Sequence, residues 1–258
     1  MGLGGLLLLA ILSFIFKTDL FTLVGGGGAA PPPGSAPAPT SPEEENQIQF
    51  VSTVLDDSQQ TWERIFANSG QPYRRAKLVL FTDTVSSGCG YAQAAMGPFY
   101  CPADEKVYID LGFYNELQER FGAPGDFAQA YVIAHEIGHH IQNLLGFDDQ
   151  VRRAQGQDPD RANELSVGLE LQADCFAGVW AHSMDPSLRG AEEPALQEGD
   201  LDEALNAAAA VGDDRIQSQG SGEVNPETWT HGSAEQRSQW FHRGFESGDV
   251  DSCDTFRG

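Results

Sequence analysis

The sequence predicts an α+β domain, mainly helical with a small β-sheet, behind an N-terminal hydrophobic anchor. Three observations predict it. Two long stretches, 127–145 and a second running from Asp158-Pro159 to Trp180, carry apolar residues at helical spacing. Two short ones, Lys77 to Thr82 and Lys106 to Leu111, read as strands, the second alternating Val107, Ile109 and Leu111 with Tyr108 and Asp110. A nearly unbroken apolar run from Leu3 to Phe16, resumed from Leu20 to Val24, precedes them all.

At 258 residues the chain accommodates one ordinary domain with a real core, plus an appendage. Its divisions are a hydrophobic membrane anchor or signal segment at 1–24, a Gly/Pro-rich linker at 25–42 and a folded domain at 43–258. Asp and Glu outnumber Lys and Arg by 38 to 15, a formal charge of −23, which excludes nucleic acid as the expected partner and disfavours anionic lipid. The excess reads first as solubility or salt adaptation, and second as attraction for cationic substrates.

The apolar run spans a bilayer only if all of 3–24 is used, with Lys17 and Asp19 near one interface. No compact small-residue cleavage site follows it directly, so a single-pass anchor is expected, with secretion after cleavage near Ala29-Ala30 or Ala36-Pro37-Ala38 as the alternative. Gly25 to Gly28 and Pro31 to Pro33 have no face to bury. Ile48, Val51, Val54, Leu55, Trp62, Ile65 and Phe66 then predict an amphipathic helix of about five to six turns. Cys89 to Cys101 reads as a Gly- and Pro-rich loop, and the strand at 106–111 as either an ordinary sheet strand or an edge for pairing with an extended peptide.

The first long helix carries His135-Glu136-Ile137-Gly138-His139. Asp126 is its expected N-cap, with Gln129 three residues on, and Gly146 its stop. Ala130, Ile133, Ala134, Ile137, Ile141, Leu144 and Leu145 form a core stripe at ~100° per residue, with His135 and His139 opposite it. One turn apart, those two imidazoles can share one zinc ion, and Glu136 is left as base for a water molecule. His140 lies off that face, as a partly exposed or hydrogen-bonded histidine. Zinc in hydrolytic sites generally takes three protein ligands. On the second helix, with core stripe Ala162, Leu165, Leu169, Ala173, Phe176 and Trp180, Glu170 and Asp174 stand one turn apart beside Val167, Ala177 and Ala181. Glu170 is expected as the third ligand and Asp174 as the acceptor that orients a ligating histidine, with Glu164 the competing ligand.

Ala134 to His140, Leu169 to Trp180, Gly97-Pro98-Phe99-Tyr100-Cys101-Pro102 and Thr230 to Arg237 together resemble a bacterial family described as "putative neutral zinc metallopeptidase". The likeness covers most of 45–256. It implies a zincin-like α+β domain with glutamate as third ligand, and it brings no defined substrate.

Further on, Glu198 to Val211 reads as a helix and 212–227 as a polar connector. His231-Gly232 precedes a capping box, Ser233 with Gln236, opening a helix with Trp240, Phe241 and Phe245. His231 is expected either to donate to an oxyanion or to be structural, with Tyr100, Tyr108 and Tyr131 as rivals for the donor role. His182 and His242 read as surface or capping residues. Cys89, Cys101, Cys175 and Cys253 allow three pairings. Cys89 with Cys101 would close the Gly/Pro loop and Cys175 with Cys253 would tie the tail to the second helix, both in an oxidising compartment; reduced buried thiols are the alternative. The expectation is a membrane-anchored extracytoplasmic peptidase with one zinc ion, acting on a peptide or protein. The alternatives are a zinc-binding envelope adaptor without peptidase activity and an amidase of cell-wall peptides.

Overall fold

In the computed structural model of the chain, the described residues are 41–256, without 120, 191, 192 and 221–223. The apolar run and nearly all of the Gly/Pro-rich stretch lie outside them. Among the described residues no helix is long and apolar enough to cross a membrane.

Helix α1 (Pro42–Asn68) starts where the sequence turns from proline to glutamate. Ser41 accepts from the N–H of Glu44, Pro42 occupies the first turn, and Glu43, Glu44 and Glu45 face the positive end of the helix dipole. Its Val51, Val54, Leu55, Trp62 and Phe66 are buried, and Trp62 meets Phe176 edge-on at 5.4 Å between ring centres. The strands follow: β1 (Lys77–Phe81), the hairpin β2 (Thr84–Ser87) with β3 (Gly90–Gln93), β4 (Phe99–Cys101) and β5 (Lys106–Asp110). The three-stranded sheet has the order β1-β5-β4, with β5 parallel to β1 and antiparallel to β4. Two expectations change here. The 89–101 stretch is not one loop: it holds β3 and β4. And β5 is the central strand, closed on both edges, so the outer edges of this sheet belong to β1 and β4, of which β4 lines the cleft at His135 and Glu136.

Helix α2 (Phe113–Glu119) leads to α3 (Asp126–Leu145), followed by α4 (Phe147–Gln157) and α5 (Ala162–His182). After these come α6 (Asp200–Ala210), α7 (Asp213–Gly220) and α8 (Ala234–Ser247). Asp126 is the first residue of α3, with Gly125 in the cap position, and Gly146 ends it in the left-handed conformation. The expected polar connector at 212–227 contains α7; a run without an apolar stripe hid a helix whose role is to place Asp213. The capping box of Ser233 and Gln236 is present.

Three glycines decide how closely the helices approach. A Cβ on Gly138 of α3 would lie 2.8 Å from the backbone oxygen of Ala173 on α5. One on Gly178 of α5 would lie 2.0 Å from the Phe241 oxygen of α8, and one on Gly244 of α8 the same distance from the Cys175 oxygen. Only backbone without side chains fits at these crossings. The core stripe then packs beneath: Ile133, Ile137 and Ile141 are fully buried, and Phe127 stacks on Trp180 at 5.7 Å.

Candidate metal centre

The close α3–α5–α8 contact carries polar side chains from three helices to one point. His135 and His139 project from α3 and Glu170 from α5, and their ligand atoms all lie within 4.8 Å of one another. The Nε2 of His135 stands 3.3 Å from one Glu170 oxygen, and the Nε2 of His139 stands 3.5 Å from the other. Glu164, the rival ligand, is exposed on the outside of α5 and paired with Arg161 at 2.6 Å.

The other ring nitrogens fix the tautomers. His135 Nδ1 donates to Asp174 at 2.8 Å, and His139 Nδ1 donates to the Gln142 side-chain oxygen at 2.8 Å. In its neutral, metal-ligating form each ring would then turn an Nε2 lone pair toward Glu170. Two lone pairs facing a carboxylate repel unless a proton or a metal cation lies among them, and imidazole with carboxylate is a donor set that suits zinc. Buried charge favours the same conclusion. The carboxylates of Glu136, Glu170 and Asp174 converge here on the buried guanidinium of Arg237, and with both histidines neutral as ligands a divalent cation would balance the remaining negative charge.

Arg237 donates to Asp174 from Nε at 2.8 Å and from Nη2 at 2.9 Å, and it stands 3.9 Å from Glu170. Tyr131 also donates its hydroxyl to Asp174. Burial alone would raise the Asp174 carboxyl, but Arg237 and His135 outweigh it and hold it below the usual carboxylate range. Glu170 is likewise lowered, against its burial, by His139 and His135. For His135 burial works downward, yet Asp174 and then Glu170 prevail and push it up to about 9. Glu136 goes the other way: burial raises its carboxyl, opposed in part by the two histidines and by a hydrogen bond from the Tyr100 backbone N–H.

Around this cluster opens a cleft of about 700 Å³ whose walls include His135, Glu136, His139, Glu170, Tyr100 and His231. His231 is half-exposed there, its Nδ1 3.2 Å from Asp213. Asp213 also accepts from the backbone N–H groups of Thr230, His231 and Gly232, so one carboxylate at the start of α7 pins the whole turn. The rival hydroxyls are engaged elsewhere. Tyr108 donates to Asp104, Tyr131 to Asp174, and Tyr100 to His140 Nδ1 while accepting from Asn143. His140 is not partly exposed: it is fully buried, with Nε2 donating to the Arg74 carbonyl. His182 bonds the Phe245 carbonyl, and His242 lies beside Glu246 on the surface.

Gln142, Arg237 and Asp213 are the supporting residues that the sequence left without a role. Gln142 stands three residues after His139 on one helical face, a spacing that could have exposed it. Its amide nitrogen continues to the Leu169 carbonyl at 2.6 Å and to Gln172, which in turn reaches the Cys253 carbonyl. Cys253 is joined to Cys175, directly after Asp174, and Cys89 is joined to Cys101 at the end of β4.

A family model described as "Putative neutral zinc metallopeptidase" matches residues 1–256. The chain is 52% identical over 218 residues to the uncharacterized protein YpfJ of Escherichia coli K12, covering 84% of this chain and 74% of that one. It is 50% identical over 190 residues to the uncharacterized proteins Mb2605 of Mycobacterium bovis and Rv2575 of Mycobacterium tuberculosis, covering 71% of this chain and 63% of each. No solved structure matches the chain. With a family model along almost its whole length and relatives at half identity, the chain belongs to the family described as "Putative neutral zinc metallopeptidase".

Proposed function

We propose that the chain is a zinc-dependent peptidase, with His135, His139 and Glu170 as the ligands of one ion and Glu136 as general base. The observation that carries this reading is the convergence of two Nε2 lone pairs and a carboxylate beside a buried, separately oriented glutamate. Zinc bound there would polarise a scissile carbonyl and acidify water.

The protein's own groups do the rest. Glu136, its carboxyl raised by burial, takes a proton from the attacking water and passes it to the departing amine. The Tyr100 N–H keeps that carboxylate at the cleft wall. His231, held through Nδ1 by Asp213, turns its other ring nitrogen to the cleft and donates to the oxyanion of the tetrahedral intermediate. Asp174, Arg237 and Gln142 orient the two histidines. The outer edge of β4 runs beside Glu136 and can guide an extended peptide, the role first considered for β5.

Two disulfides suit an oxidising compartment, which supports placing the domain outside the cytoplasm, with the apolar run at 3–24 as its membrane anchor. Incubating the zinc-loaded protein with a broad peptide library and reading new termini by mass spectrometry tests the proposal. Internal cleavage that stops on chelation and returns with zinc is expected. Firm zinc binding with no cleavage would favour an adaptor, and cleavage confined to cell-wall peptides would favour the amidase.

A further inference from the structure

The outer edge of β4 is poor in hydrogen-bond donors. In a strand, the N–H and C=O of one residue point to the same side. Tyr100 lines the cleft and its N–H is engaged by the Glu136 carboxylate, so this donor is spent and the carbonyl of the same residue shares its side of the strand. The residues two before and two after, just outside the three-residue strand, are Pro98 and Pro102, and proline has no N–H. A peptide laid along this edge therefore finds no free main-chain donor at these three positions, and the two-way ladder that holds an added strand cannot form there. Main-chain pairing fixes direction here and supplies little selection.

Selection then falls on side chains, and the cleft has an apolar wall next to this edge. Met96, just before β4, is 68% exposed yet lines the cleft. Phe113 lies against the same turn, where a Cβ on Gly97 would stand 3.8 Å from its ring. Val132 reaches the cleft from α3, one turn ahead of Glu136. Away from the metal cluster the charged groups lining the cleft are the carboxylates Glu116 and Asp148 and the guanidinium of Arg152, which is paired with Asp149, in a chain of net charge −23.

Resting on the peptidase reading above, we infer that the cleft selects extended peptides by one bulky apolar side chain seated between Met96, Phe113 and Val132, and rejects acidic ones. Burying a leucine or phenylalanine side chain gives about tenfold to hundredfold in binding or kcat/KM.

Two readouts test this. First, binding of fluorescent peptides that differ at one position (Phe, Leu, Ser, Lys or Asp) is measured on Glu136→Gln protein, which should not turn them over. Second, kcat/KM is measured for the same peptides on wild type and on Met96→Glu, a rim substitution outside the catalytic groups. The expected result is Phe and Leu at least tenfold above Ser, Asp weakest, and in Met96→Glu a fall for Phe and Leu with a rise for Lys. Equal binding of all five, or a Met96→Glu profile unchanged from wild type, overturns the inference and leaves the peptidase reading standing. Selective binding of apolar peptides with no cleavage by wild type supports the cleft's ligand class and removes the peptidase reading.

Discussion

Asp174 Oδ1 lies 2.8 Å from His135 Nδ1, and the same carboxylate receives two hydrogen bonds from Arg237. One fully buried acid thus sets the tautomer of a candidate zinc ligand and is itself neutralised by a residue from a third helix. Asp174→Asn keeps the shape but loses the charge that favours the Nδ1–H form. Zinc affinity should fall about 10- to 100-fold, as loss of such a partner does elsewhere. Competition against a fluorescent chelator measures it; unchanged affinity would show that Asp174 does not orient His135.

Arg237 is buried at 3% exposure and is the foremost charge partner of Asp174, ahead of His135. Arg237→Met should destabilise the fold by about 3–5 kcal/mol, because a buried carboxylate loses its partner. Chemical denaturation reads the loss. Pairing it with Asp174→Leu, which removes the stranded charge, should recover part of it.

The metal-free protein should show a pH dependence that zinc abolishes. His135 titrates at about 9 in the fold and near 6.5 unfolded, so between those values the folded state holds the extra proton. Its contribution is complete below pH 6.5 and is lost as pH rises through about 9, up to about 3 kcal/mol. Asp174 and Glu170, both lowered, act oppositely: their contribution is present above pH ~4 and is lost on acidification. Metal-free protein should therefore lose stability from pH 6.5 to 9. With zinc on the Nε2 atoms the alkaline loss should disappear, since the ion replaces the proton there. Melting curves with and without zinc across that range check both signs.

Mass analysis after alkylation without reductant should find no free thiol among the four cysteines. The Cys175–Cys253 bond closes 78 residues and Cys89–Cys101 closes 12. Replacing the first pair by serine should therefore cost more, about 4 kcal/mol against about 3 for the second. Equal losses would point to local effects at the bonds in place of loop closure.

The metal helix was legible because its signals are local: the apolar stripe, the stop at Gly146 and the two histidines one turn apart all lie within 20 residues. Glu170 and Asp174 were legible by the same helical spacing. Arg237 was not, since its role depends on the α5–α8 crossing through Gly178 and Gly244, and on a partner 63 positions away. The sheet edge failed for a related reason: alternation marks a strand but not its neighbours, and the second edge of β5, beyond its hairpin with β4, is closed by a pairing with β1 that is distant in sequence. Helix α7 was missed because its polar residues leave no stripe, although Asp213 in it pins the His231 turn.

The most direct measurement is peptide cleavage by Glu136→Gln protein whose zinc content has been determined on the same preparation. The substitution keeps the side chain's shape and leaves His135, His139 and Glu170 intact. The predicted result is one zinc per chain, as in wild type, with cleavage lowered by at least about 100-fold. Cleavage at the wild-type rate by fully loaded Glu136→Gln protein would contradict the assignment of Glu136 as the base and, with it, the mechanism.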